Sequence, residues 1–142
     1  MRETLDRVLQ LAVLLNEDMA RDLERRGLPG SRAHLVWEIH KRGPSTQQAL
    51  AQALRLTPRA ITGLVDALVE SGFVTREPHP TDRRATLVTF TKRGGMAARS
   101  LERDHIEFAR KLFDDLTETT FHNFTRGLDE VLARLRDLLV SN

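Results

Sequence analysis

GFVTREPHPTDRRATLVTFTKRG, residues 72–94, is the stretch on which the fold turns. Gly72 closes an apolar-periodic helix, and Phe73 to Glu77 then reads as a short strand. Pro78 and Pro80 frame His79, and Asp82, Arg83 and Arg84 stand in a row behind them. Ala85 to Phe90 reads as the partner strand, so the segment predicts a β-hairpin with two adjacent arginines at its tip. The prolines restrict the unfolded loop, so less entropy is lost when the tip orders. Thr91 stands where it can cap a following helix.

Upstream of the hairpin, two short helices are punctuated by clear start signals. Ser45 with Gln48 has the spacing of a capping box and opens a helix bearing Ala49, Leu50, Ala53 and Leu54. Arg55-Leu56 makes a brief turn. Thr57-Pro58 then supplies an N-cap and a first-turn proline for a helix with Ile61, Leu64, Val65, Leu68 and Val69 on one face. Two short helices joined by a tight turn form a helix-turn-helix pattern, and a hairpin directly after it makes a winged helix. Further out, Leu5 to Leu23 forms one long amphipathic stripe ending near Gly27, and a second helix runs from Ser31 to the Gly43-Pro44 break. Beyond the wing come a helix after Thr91 and a last helix after Thr117, the latter carrying Phe121, Phe124, Leu128, Val131, Leu132, Leu135, Leu138 and Leu139. The expected fold is mainly α with a small β-hairpin wing. It forms a single domain over 1–142, in which 31–92 is the winged helix-turn-helix and 1–26 plus 93–142 are dimerisation helices.

Charge follows the same division. From Arg32 to Arg93 there are ten Lys and Arg against five Asp and Glu, while both flanks are mildly acidic, within a net charge of +2. A basic centre between acidic ends suggests a polyanion partner for the centre alone. Cysteine is absent, which removes disulfide frameworks, zinc fingers and thiol redox sensing and fits the cytoplasm. No window approaches a membrane span, and the charged N-terminus does not resemble a signal peptide. No nucleophile–base pair, glycine-rich phosphate loop or metal-ligand set is present, so an enzyme, a metal site and a bound cofactor are not expected.

On the helix after Thr57 the solvent face holds Arg59, Ala60, Thr62, Gly63 and Asp66, small or polar residues suited to a DNA groove. Gly63 weakens the helix by about 1 kcal/mol against alanine, a loss that a deep seat in a groove would explain. At the hairpin tip Arg83 and Arg84 are placed to reach a minor groove, where negative potential attracts arginine. Asp82 can orient one of them by a bidentate contact. Arg76 either braces Asp82 or touches a phosphate. Ser45, Thr46 and Gln47 are helix-start residues first and phosphate contacts second, and Arg32 is a further backbone candidate.

The run from Ser45 to Gly94 resembles the MarR family of bacterial transcriptional regulators, through Gly72-Phe73-Val74-Thr75-Arg76, Asp82-Arg83-Arg84-Ala85 and Thr91-Lys92-Arg93-Gly94. The resemblance implies a homodimer interlocked through the first and last two helices. It implies binding to pseudo-palindromic double-stranded operators, usually as a repressor. Residues 57 to 66, from Thr57 and Pro58 onward, resemble the major-groove helix. Arg84 resembles the minor-groove arginine, and Asp82 the acid that steadies it. The resemblance also implies a small phenolic or other anionic effector in a cleft, for which His34, Trp37 and His40 on the second helix are the candidates.

Blander readings stand beside these. Arg83 and Arg84 could be a solvated loop pair, Trp37 a core residue, and the five histidines ordinary surface or cleft-lining groups. Two readings compete with a specific regulator: a weakly specific architectural DNA-binding protein, and a winged helix used as a protein-interaction module. The two long apolar stripes at the chain ends exceed what a small winged helix covers, which favours a symmetric dimer.

Overall fold

A computed structural model describes residues 1–140. Its elements run α1 (Arg2–Arg25), α2 (Ser31–Arg42), β1 (Ser45–Thr46), α3 (Gln47–Leu54), α4 (Pro58–Glu70), β2 (Val74–Pro78), β3 (Thr86–Phe90), α5 (Lys92–Phe113) and α6 (Glu118–Val140). The sheet is antiparallel in the order β1-β3-β2. The expected mainly helical winged fold is therefore present, with one strand more than the hairpin alone.

That extra strand corrects the capping box. Ser45 and Thr46 pair with Val88 and Leu87 of β3 instead of opening a helix. The cap of α3 is Thr46, whose Oγ1 accepts the Ala49 N–H at 3.2 Å, while the Ser45 hydroxyl donates back to the Gly43 carbonyl at 2.9 Å. The cap of α4 falls where expected: Thr57 Oγ1 accepts from Ala60 N–H at 3.1 Å, with Pro58 in the first turn.

The chain forms two compact units, Met1–Ser100 and a second that begins at Leu101. The core lies in the first. Leu35, Val36 and Ile39 of α2, Leu50 of α3, Ile61, Val65 and Leu68 of α4, and Val74 and Val88 of the sheet are all essentially inaccessible. Each comes from the apolar face that its element's period predicts. Gly72 ends α4 at φ +80°, a left-handed conformation that glycine adopts without strain, and turns the chain into β2.

The hairpin leaves toward α5 through a tight junction. Thr91 donates its backbone N–H to the Phe73 carbonyl at 3.1 Å and its hydroxyl to the Gly72 carbonyl at 2.6 Å. The same Oγ1 accepts the Gly94 N–H at 3.1 Å, so it is the expected cap. Arg93 lies over the Phe73 ring at 4.5 Å and donates to the Ser71 carbonyl. Thr91, Arg93 and Gly94 thus fasten the end of α4 to the start of α5.

In the second unit the Phe113 ring meets Phe121 edge-on at 5.5 Å, and Thr117 caps α6 through the Thr120 N–H at 3.2 Å. Neither α1 nor α6 buries a single residue. Leu5, Leu9 and Leu14 on α1 and Val131, Leu135 and Leu138 on α6 are exposed. No described helix is long and apolar enough to cross a membrane.

Candidate nucleic-acid interface

The buried stripe of α4 determines what its other side can present. With Ile61, Val65 and Leu68 inward, Arg59, Thr62, Gly63 and Asp66 form an exposed row at three- and four-residue spacing. Ala60, Thr57 and Pro58 are exposed at the same N-terminal end. A Cβ added to Gly63 would meet nothing within 4 Å, so no neighbour within the protein requires glycine there.

The wing tip organises itself. His79 donates its backbone N–H to the Ala85 carbonyl at 3.1 Å, closing the loop. The His79 ring Nδ1 accepts the backbone N–H groups of Asp82 at 3.0 Å and Thr81 at 3.2 Å. Asp82 Oδ1 accepts the backbone N–H of Arg84 at 3.0 Å. Asp82 therefore acts on the backbone of Arg84, not on a guanidinium as the sequence suggested. A short carboxylate reaches the amide two residues on more readily than the end of a long side chain. Among the described residues the guanidinium groups of Arg59, Arg83 and Arg84 have no hydrogen-bond or ion-pair partner. Three permanent cations thus stand exposed on α4 and the tip.

Arg76 differs from both sequence expectations. Its Nη2 pairs with Asp66 Oδ1 on α4, and its Nε donates to Gln47 Oε1 at 3.1 Å. The reason is strand period. Val74 is buried and Arg76 lies two residues on, so both side chains leave the sheet on the side of the helices. Asp82 is at the tip, out of that line. Gln47 Nε2 in turn donates to Thr62 Oγ1 at 3.1 Å, and Thr62 donates to the Pro58 carbonyl at 2.8 Å. Thr46, Gln47, Arg76, Asp82 and Arg84 wall an open groove between the start of α3 and the wing.

This linkage, and the part of His79, escaped the reading of the sequence. The pairing of positions 66 and 76 was within reach, because period-two alternation from Val74 points Arg76 at α4. On α2, the rings of Trp37 and His40 lie 5.8 Å apart and half-buried, with His34 exposed one turn earlier. Arg32 is half-buried on the first turn of the same helix.

Residues 29–86 match the model of the MarR family. A segment of 66 residues is 36% identical to an uncharacterised HTH-type transcriptional regulator of Mycobacterium leprae, covering 46% of each chain. The chain spans between about half and just under two thirds of the length of the first curated relatives it matches. The fold is that of Streptococcus pneumoniae FabT, solved in complex with DNA, at a TM-score of 0.80 and 21% identity over 94% of this chain and 99% of that one. RV1404 from Mycobacterium tuberculosis superposes with a TM-score of 0.75 at 27% identity, covering 91% and 90%.

Proposed function

From the match of residues 29–86 to the MarR family model, we propose that the protein is a homodimeric, sequence-specific DNA-binding transcriptional regulator that acts as a repressor. The observation that carries the reading is the unpartnered cation set: Arg59 on the exposed row of α4 and Arg83 and Arg84 at a wing tip held by its own hydrogen bonds. In this reading the first two turns of α4 enter the major groove, where Thr62 and Gly63 allow close approach. Arg84 enters the neighbouring minor groove. The exposed Leu, Val and Phe side chains of α1 and α6 pair with a second copy, since faces of that extent are seldom left open to water. Two heads then meet half-sites about one helical turn apart, roughly 34–36 Å.

Release is assigned to an aromatic or anionic effector held beside α2, where Trp37 and His40 offer a ring pair and His34 a nearby imidazole. Quenching or shift of Trp37 fluorescence on titration with phenolic acids tests that assignment, and emission that ignores every such acid counts against it.

Fluorescence anisotropy against the DNA upstream of the protein's own coding region, with an unrelated duplex at equal salt, tests the central reading. Preference for the upstream duplex supports it. Equal affinity for both, with a steep salt dependence, replaces it with an architectural role. Absence of binding at low salt leaves the winged helix as a protein-interaction module.

A further inference from the structure

Arg76, Asp66, Gln47 and Thr62 sit on the surface assigned to DNA, yet their side chains are already engaged with one another. The chain of contacts runs from β2 to α4 directly, and from β2 through the first residue of α3 to α4. Three elements are therefore tied by one guanidinium. We propose that Arg76 is a positioning residue for DNA recognition, resting on the regulator reading above: it neutralises Asp66 and sets the direction of the Gln47 amide, rather than binding phosphate itself.

Two physical arguments support this. Asp66 is the exposed carboxylate of α4 nearest its N-terminal half, one turn before Glu70, and its side chain is 60% accessible. Docked on DNA it would face phosphate and lose water, which is unfavourable for an uncompensated negative charge. Arg76 supplies the compensating charge from within the protein before DNA arrives. Second, an amide presents either a donor or an acceptor, depending on which way it is turned. With Oε1 held by Arg76 and Nε2 held by Thr62, Gln47 has one orientation, and the groove wall presents one fixed pattern. Preorganised polar groups discriminate between base edges better than groups free to turn.

The test uses four full-length proteins, wild type, Arg76→Ala, Asp66→Asn and the double variant, on the upstream duplex and an unrelated one across a salt series. The expected result is that Arg76→Ala binds the upstream duplex about tenfold more weakly, a loss of about 1.4 kcal/mol. Asp66→Asn should stay within about threefold of wild type, and the double variant should recover to within about threefold of Asp66→Asn. The salt slope should be unchanged throughout, because no phosphate contact is removed. A double variant as weak as Arg76→Ala, with a slope lower by about one, makes Arg76 a phosphate ligand and overturns the proposal. A loss of about tenfold or more in Asp66→Asn alone also overturns it, since the carboxylate would then be reading a base. Arg76→Lys guards against a folding defect in the alanine variant. It keeps the charge but not the fork, so it should retain affinity and lose preference between the duplexes, whereas unaltered preference overturns the role assigned to Gln47. Failure of the regulator reading looks different, because wild type itself would then show no preference.

Discussion

The Cβ that Gly94 lacks would stand 1.8 Å from the carbonyl oxygen of Phe73. No side-chain rotation relieves that approach, because the backbone fixes where a Cβ stands and the group it meets is a backbone carbonyl. The first turn of α5 therefore packs directly on the residue that follows Gly72 at the end of α4. Gly94→Ala must push α5 off the winged helix and should destabilise the protein by about 3 kcal/mol. Chemical denaturation of the two proteins measures it, and a difference below about 0.5 kcal/mol would mean that the junction yields freely.

Gly63 presents the opposite case. Space is open around it, so Gly63→Ala should stabilise the fold by about 1 kcal/mol through helix propensity alone. If α4 lies deep in a groove, the same methyl group should weaken operator binding. A variant that melts higher and binds worse is the expected outcome. One that melts higher and binds equally well would place α4 further from the bases.

At the wing, Arg84→Ala should weaken binding by about 1–3 kcal/mol while leaving the oligomeric state unchanged. Asp82→Ala should produce part of the same loss with every arginine still present, because the Arg84 amide loses its acceptor. Asp82→Asn keeps an oxygen in place and should bind better than the alanine variant. Anisotropy on the three proteins, with light scattering as the check on assembly, decides it. Equal affinity of the alanine and asparagine variants would separate Asp82 from the presentation of Arg84.

Glu38 gives a pH-dependent term. Hydrogen bonds from Arg42 and then Lys41, four and three residues along α2, hold its carboxyl below the ordinary glutamate value of about 4.3. A depressed carboxylate contributes stability that is present above the unfolded value and fades as the pH falls through the folded one. Glu38→Gln should therefore cost about 0.5 kcal/mol at pH 7 and less at pH 3, below the ordinary glutamate value. Thermal melts at the two pH values test this, and a cost undiminished at pH 3 would reflect lost packing instead of charge.

Much of the fold was legible because its signals are local. Thr57-Pro58 announces α4 within two residues, and Gly72 announces its end. The hairpin follows from proline and alternation in one continuous stretch. What was not legible depends on partners distant in sequence. Ser45 and Thr46 have the composition of a cap, and only the edge of β3, more than forty residues later, makes a strand of them. The exposed row of α4 could be read from its period, and so could the tip arginines from their place in the hairpin. The contacts of Arg76 and Asp82 could not, since nearby acids and bases allow several pairings and tertiary geometry selects among them. Likewise Gly94 looks unremarkable beside the helix start, until the Phe73 carbonyl is seen against it.

The middle strand has a mechanical consequence. β3 is bonded on one side to β1, the two residues that lead straight into α3, and on the other to β2, the strand that rises from α4. Wing and helix-turn-helix thus share a single girder and lack a hinge between them. If the protein binds DNA as proposed, such a head has few internal degrees of freedom with which to let go of a duplex piecemeal. In that reading it grips and departs as one body, so whatever loosens it must tilt or translate the whole head.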